Sequence, residues 1–279
     1  GTYIDTLQTT AGCDSIVTLD LTINYPSFVY AGLDETLCYG DSLTLSAQGN
    51  GTLIWDNGFV NGQTITVDSS KTLLVQLTDS NSCVSYDTIQ ITVNQLPLVD
   101  AGLDTAICLG DSISLIGAGA SIYNWSNTNQ LVANGISFSP TQSGNYLMEG
   151  IDTNGCSNFD SVFILVNSLP AVNAGADQNL CFGDSVLLSG SGAVSYQWSG
   201  GITDSIYLIA DSSSTYSLVG TDSNGCQNTD SILINVNDLP TVLAGLDTSI
   251  CIYDSIVLNG SGAQSYSWSG GIVDSIPFV

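Results

Sequence analysis

Apolar and polar residues alternate with a period of two along most of this chain, in short runs such as SVLLSG (185–190) and SILINVN (231–237). Gly, Asn, Asp and Ser separate the runs, and these residues favour turns because they tolerate unusual backbone angles or bond their own backbone. No segment carries an i, i+3, i+4 apolar stripe over three turns, so the pattern predicts an all-β protein.

The pattern also repeats. Cys38, Cys108, Cys181 and Cys251 recur at nearly equal intervals, and Trp55, Trp125, Trp198 and Trp268 keep the same spacing, as do Cys13, Cys83, Cys156 and Cys226. Three landmarks in step mark a structural repeat of about 70 residues. Each unit opens with a proline and an extended stretch ending in cysteine, as in LPAVNAGADQNLCFGDS (169–185), followed by an alternating run. A Gly-rich turn then leads to YNW, YQW or YSW (123–125, 196–198, 266–268), a half-buried strand whose tryptophan belongs in a core. The unit closes on TYSLVGTDSNGCQNTDSILINVN (215–237), in which an Asn-Gly turn signal joins two alternating strands into a hairpin.

Strand signals about every 8 to 12 residues and a tryptophan on the third strand predict immunoglobulin-like β-sandwiches. A Thr-Tyr pair opens the penultimate strand at Thr2-Tyr3 and Thr215-Tyr216, with Leu73 in place of the tyrosine in the first full repeat, so packing is its expected role. The fold class is therefore tandem immunoglobulin-like β-sandwich repeats of about 70 residues arranged end to end. Boundaries fall at Pro26, Pro97, Pro170 and Pro240. Residues 1–26 are read as the closing hairpin of a preceding repeat, 27–97, 98–170 and 171–240 as full repeats, and 241–279 as the opening part of a following one. Links of two or three residues are too short to act as flexible tethers, so a stiff rod is expected. On the repeat, Val279 corresponds to Ile209 and Gly1 to Ser214, which fits a window from a longer array or a filament in which one chain's end completes the next.

Composition narrows the classes of function. Twenty-six acidic residues face one cation, Lys71, with no histidine and no arginine, a formal charge of −25. Such a chain is repelled by phosphate backbones and anionic lipid, which excludes nucleic acid and predicts no membrane contact in this segment. With 43% hydrophobic residues an apolar core is available, and disorder is not expected. No 18-residue apolar run is present, so an export signal and any anchor are expected elsewhere. Without histidine no serine has a base, and without a basic cluster no phosphate site forms; an enzyme is not expected.

Together, AGLDTAICLGDSISLIGAGA (101–120), YQWSGG (196–201), the 215–237 hairpin and GTYIDTLQTTAGCDSIVTLDLTI (1–23) resemble the Ig-like or PKD-like tandem repeats of very large secreted surface proteins of Bacteroidota. The resemblance covers the whole chain and rests on Cys-x-Gly-Asp-Ser and Asp-x-Asn-Gly-Cys at fixed separation. Cys251-Ile-Tyr-Asp, Asp79-Ser-Asn-Ser-Cys and Thr10-Ala-Gly-Cys depart from these elements. The resemblance implies carriage by type IX secretion and a link to gliding motility or adhesion. It also implies O-glycans on the Asp-Ser/Thr-aliphatic pattern, at Thr6, Ser15, Ser42, Thr88, Thr105, Ser112, Ser161, Ser185, Ser205, Ser231, Ser255 and Ser275. A structural reading of that pattern stands beside it: aspartate ends a turn, Ser or Thr begins a strand, and the aliphatic residue faces the core.

The eight cysteines include no Cys-x-x-Cys pair, which makes zinc a poor reading and disulfides in an oxidising, extracellular compartment the better one. Bonds within each repeat would join Cys38 to Cys83, Cys108 to Cys156 and Cys181 to Cys226. Immunoglobulin topology places those partners at opposite ends of the sandwich, roughly 25–35 Å apart, whereas a disulfide spans Cα atoms only about 4.4–6.8 Å apart. End-to-end stacking favours Cys38 with Cys156 and Cys108 with Cys226; a kinked first strand would restore the internal bonds, and free thiols are the third reading. Around the hairpin turns, Asp152, Asn154, Asn158 and Asp160, and likewise Asp222, Asn224, Asn228 and Asp230, gather oxygens that could hold calcium or simply cap turn backbone. No other cofactor is expected.

The function expected from these readings is the stalk or shaft of an extracellular surface fibre or adhesin. Its partners are other repeats of the chain or copies of itself in a filament. The rival is a module that grips polysaccharide or a surface ligand through exposed aromatics, with Phe59, Tyr207 and Phe278 as candidates.

Overall fold

The structure, a computed structural model, describes residues 1–127 and 132–279. Contacts divide the chain into two compact units, 1–105 with 112–164 and 106–111 with 165–279. Both consist of immunoglobulin-like β-sandwiches arranged in tandem along the chain.

The first unit opens with an antiparallel hairpin of β1 (Thr2–Gln8) and β2 (Asp14–Asp20), in register from Thr2 opposite Asp20 to Gln8 opposite Asp14. Every residue of the two strands is exposed. Eight strands follow: β3 (Val29–Tyr30), β4 (Glu35–Cys38), β5 (Ser42–Thr44), β6 (Gln48–Gly49), β7 (Thr52–Trp55), β8 (Thr64–Thr66), β9 (Lys71–Thr78) and β10 (Val84–Asn94). One sheet has the order β4-β10-β9-β7, with β4 parallel to β10 and the other pairs antiparallel. Facing it are the short pairs β3-β6 and β5-β8. The alternation read in the sequence decides the packing: Leu73, Val75 and Leu77 of β9 and Ile89 and Ile91 of β10 point inward and close around Trp55, which is 1% exposed. Burying a side chain of this size contributes about 1.5–3 kcal/mol or more.

The next strands are β11 (Thr105–Cys108), β12 (Ile113–Ser114), β13 (Ile122–Ser126), β14 (Ser137–Phe138), β15 (Gly144–Ile151) and β16 (Ser157–Asn167). Their order, β11-β16-β15-β13 with β12-β14 opposite, repeats the first sandwich. Tyr146, at the position of Leu73, is 2% exposed, so this site takes either side chain as packing.

The second unit contains β17 (Gln178–Cys181), β18 (Ser185–Leu188), β19 (Ser195–Trp198), β20 (Ile206–Ile209), β21 (Ser214–Thr221) and β22 (Gln227–Asn237), again ordered β17-β22-β21-β19 with β18-β20 opposite. Leu188, Leu218, Ile234 and Trp198 form its core. Residues 241–279 keep the pair β23 (Ile256–Val257) and β24 (Pro277–Phe278). The turn before each tryptophan strand depends on glycine. Gly119, Gly192 and Gly262 have φ of +86°, +88° and +93°, and a Cβ there would collide with the carbonyl oxygens of Leu98, Ala171 and Thr241.

Candidate functional site at the cysteine turns

Two turns carry the cysteines, and register fixes where they lie. Cys38 ends β4 opposite Asn94, while Cys83 immediately precedes Val84 at the other end of the 11-residue β10. At about 3.3 Å per residue the two are roughly 35 Å apart, far beyond disulfide reach. The bonds instead join Cys38 to Cys156, with Cα atoms 5.6 Å apart, and Cys108 to Cys226, at 5.5 Å. Each spans 118 residues and ties the first cysteine turn of one repeat to the hairpin turn of the next. Of the eight cysteines read as disulfide candidates, these four are paired; Cys13, Cys181 and Cys251 are exposed thiols and Cys83 is half-buried.

Aspartates hold both turns in shape. In Cys-x-Gly-Asp, the Cys38 amide donates to Asp41 Oδ2 at 2.8 Å and the Asp41 amide returns a bond to the Cys38 carbonyl at 3.0 Å. Cys108 with Asp111, Cys181 with Asp184 and Cys251 with Asp254 do the same. Gly40, Gly110 and Gly183 supply the left-handed backbone between them. At the fourth site Tyr253 is forced to φ +75°, a strain of about 1–2 kcal/mol that the first three turns avoid. In the hairpin turn, Asp152 Oδ1 accepts the amides of Asn154 and Cys156 at 2.8 and 2.9 Å, and Asp222 Oδ1 those of Asn224 and Cys226 at the same distances. Asp79 repeats this with Asn81 and Cys83, and its second oxygen accepts both the amide and the hydroxyl of Ser27.

These bonds bear on the calcium candidates. Asp152 and Asp222 point their oxygens at backbone amides, Asp160 Oδ2 accepts the Ala101 amide and Asp230 Oδ2 the Ala174 amide. Asn158 and Asn228 donate to the carbonyls of Pro97 and Pro170. Among the described residues no group of three or more acidic or cysteine side chains is placed to hold a metal ion. Of the gathered groups, Asp152, Asp160, Asp222 and Asp230 each accept backbone amides, and Asn158 and Asn228 accept those of Phe159 and Thr229.

A second role for acidic and amide side chains left no clear signal in the sequence. Trp198 Nε1 donates to Asp204 Oδ1 at 2.9 Å, and the same oxygen accepts the Gly190 amide at 2.7 Å. Asp274 pins Trp268 to Gly260, Asn134 pins Trp125 to Gly117, and Asn61 pins Trp55 to Ala47. The acceptor follows the tryptophan by six residues in three repeats and by nine in the other, inside a loop without periodicity. Only alignment of the repeats on tryptophan would have exposed it.

Of the twelve hydroxyl candidates, Thr105 is half-buried; Thr6, Ser15, Ser42, Thr88, Ser112, Ser161, Ser185, Ser205, Ser231, Ser255 and Ser275 are exposed. The aspartate preceding many of them is engaged as described above, and the aliphatic residue following several is in the core, as for Ile89, Val162, Val186 and Ile232. Among the aromatic candidates, Phe59 packs against the core of the first sandwich, Phe278 is half-buried in β24, and Tyr207 is 70% exposed.

Hydrogen bonding holds several of these carboxyls below the usual aspartate range. For Asp160 and Asp230 the amides of Ala101 and Ala174 are the leading cause. For Asp79 it is the Cys83 amide, and for Asp274 the Gly260 amide. At Asp204, burial works in the opposite direction but is outweighed by donors from Trp198, Gly190 and Ser205. A lowered folded-state pKa means stability that is fully present above about pH 4 and is lost as pH falls through the folded values. Urea titrations in about 0.5 M salt, which screens the repulsion of the other charges, are expected to show constant stability from pH 7 to 5 and a decline below pH 4. Stability that rose on acidification under these conditions would contradict the assigned bonds.

No protein-family model matches the sequence, and no curated protein is significantly similar to it. Among solved structures, the chain is similar to the N-terminal eight Ig domains of Down Syndrome Cell Adhesion Molecule, at 14% identity and a TM-score of 0.33, over 87% of this chain and 39% of that one. It is also similar to the insect immune protein hemolin, at 15% identity and TM-score 0.30, over 83% and 81% of the two chains. A third is a Bacteroides ovatus mixed-linkage glucan utilization protein, SGBP-B, solved with a mixed-linkage heptasaccharide, at 13% identity and TM-score 0.20, over 80% and 72%. The chain thus spans about two-fifths of the length of the first of these. No helix among the described residues is long and apolar enough to cross a membrane.

Proposed function

We propose that this chain is part of the stalk or shaft of an extracellular bacterial surface fibre or adhesin. In this reading the repeats are 27–97, 98–170 and 171–240, with partial repeats at 1–26 and 241–279. The observation that carries it is the pair of identical disulfide steps, Cys38–Cys156 and Cys108–Cys226, each fastening a repeat to its successor. A polypeptide link alone lets neighbouring domains reorient. A second, covalent link across the same junction opposes bending there, which suits a mechanical spacer. Two disulfides also suit an oxidising compartment outside the cytoplasm. The single lysine gives trypsin-like proteases one site, and the charge of −25 keeps neighbouring fibres apart. The same proposal includes O-glycosylation, supported by the exposed Ser and Thr residues of the Asp-Ser/Thr-aliphatic pattern, and it extends, on the sequence resemblance, to Bacteroidota origin and type IX export.

The test replaces residues 27–240 in cells of the source organism with an equal number of unrelated immunoglobulin-like repeats. A shaft role is expected to leave surface attachment intact, because only reach is required. Loss of attachment with the rest of the protein still displayed would transfer the function to the surfaces of these repeats themselves.

A further inference from the structure

The outer faces of the short two-stranded sheets differ between sandwiches. In the first, Ser42 and Thr44 of β5 stand opposite Thr66 and Thr64 of β8, all exposed, with the Thr44 and Thr64 hydroxyls 2.9 Å apart. In the second, Ser114 stands opposite Ser137 and the hydroxyls of Ser112 and Ser139 are 2.9 Å apart, again all exposed. The third sandwich departs from this. Leu187 of β18 stands opposite Tyr207 of β20, and Ile209 stands opposite Ser185. Leu187, Tyr207 and Ile209 are 45%, 70% and 65% exposed. Val257 opposite Pro277 takes the corresponding place in 241–279, without an aromatic ring. Folding does not require the cluster, because a cross-strand hydroxyl pair supports a sheet by an amount comparable to an apolar one. Junctions do not cover the face either: Cys38–Cys156 and Cys108–Cys226 bond the first and second sandwiches to following repeats, and their corresponding positions stay exposed. Where β18 begins and β20 ends, the Ala210 amide donates to the Asp184 carbonyl, which sets the exposed Asp184 near the exposed Asp211. Lys71, the one cation of the sequence, lies in the other unit.

We infer that the outer face of β18 and β20 is a docking surface for a cationic protein segment. The segment lays an apolar side chain against Tyr207 and Leu187 and directs Lys or Arg to Asp184 and Asp211. A cluster of exposed apolar residues with a polar rim marks a contact site, and tyrosine is among the residues that carry most of the energy of such contacts. Charge decides the occupant. A second copy of this chain brings 26 acidic residues and one cation, and is repelled. A neutral polysaccharide gains nothing from the two carboxylates, and Leu187 and Ile209 beside the ring offer its hydroxyls no side-chain hydrogen bond. A basic segment with apolar residues satisfies both halves of the surface, the charges guiding its approach and the apolar contact holding it.

The inference holds whether or not the array acts as a shaft, and its test reads binding alone. The 279-residue chain, with its two disulfides intact, is compared with a variant carrying Leu187→Thr and Tyr207→Thr, which reproduces the Thr44–Thr64 pair of the first sandwich. A second variant, Tyr207→Lys, alters one exposed side chain and puts a like charge on the face. The probes are short synthetic peptides that alternate Lys with Leu, Glu with Leu, or Lys with Ser, titrated by calorimetry at physiological ionic strength. The Lys-Leu peptide is expected to bind the parent saturably and both variants at least about tenfold more weakly. The Glu-Leu and Lys-Ser peptides are expected to bind the parent at least about tenfold more weakly than the Lys-Leu peptide, since each lacks one half of the match. Equal binding of the Lys-Leu peptide to the parent and either variant would reduce the effect to bulk charge and overturn the inference, as would absence of saturable binding to the parent. A mixed-linkage gluco-oligosaccharide that bound the parent in place of the peptide, and was lost in the variants, would overturn it in favour of carbohydrate.

Discussion

Replacing Trp198 with alanine is expected to unfold the sandwich built from β17 to β22 or leave it marginal. The indole is 2% exposed and packs among Val186, Leu188, Leu218 and Ile234. Truncating a buried aromatic to alanine costs about 3–5 kcal/mol through lost transfer energy and the cavity left behind. A domain of about 70 residues has only about 4–10 kcal/mol to lose. Trp198→Phe separates packing from the hydrogen bond: it keeps most of the ring but removes the Nε1 donor to Asp204, at a cost of about 1–2 kcal/mol. Asp204 retains the Gly190 amide as a partner, which is why the smaller substitution is milder. Urea unfolding followed by far-ultraviolet circular dichroism reads both variants. A Trp198→Ala protein as stable as the parent to within about 0.5 kcal/mol, the range of an inconsequential surface change, would show that the tryptophan does not close the core.

How well the sequence announced these features depended on their range. Trp198 was legible because its strand alternates and its spacing recurs; Leu73, Tyr146 and Tyr216 share a packing position that tolerates either residue type. The partner of each bonded cysteine was legible only through an argument about which end of a sandwich each turn occupies, and β4 running parallel to β10 is what turns that argument into geometry. What stayed hidden were side chains reaching backbone far away in sequence, such as Asp160 to Ala101 and Asp230 to Ala174, 59 and 56 residues apart. Such bonds leave no periodic trace, so the backbone amides that Asp160 and Asp230 accept could not be read from the acidic clusters at the hairpins.

Breaking the two disulfides is expected to change how far the chain can be pulled more than it changes the fold of any one sandwich. Each bond closes a sequence separation of 118 and stabilises the native state by about 3–5 kcal/mol relative to the reduced chain. The mechanical effect follows from connectivity alone. From Cys38, tension divides into two routes that meet again at Cys226: along the chain to Cys108 and across its disulfide, or across the disulfide to Cys156 and along the chain. Either route is one repeat long, whereas the reduced chain must run the whole way from position 38 to position 226. At about 3.5 Å per extended residue the interval between Cys38 and Cys226 reaches roughly 25 nm when oxidised and roughly 65 nm when reduced. Even complete unfolding of the sandwiches therefore leaves the oxidised array short, with two strands sharing the tension in parallel. Single-molecule stretching with handles flanking positions 38 and 226, before and after reductant, measures this directly. The reduced protein, or one with Cys108→Ala and Cys156→Ala, is expected to gain roughly 40 nm of extension over the oxidised one; equal lengths under both conditions would show that these two bonds do not form in the mature chain.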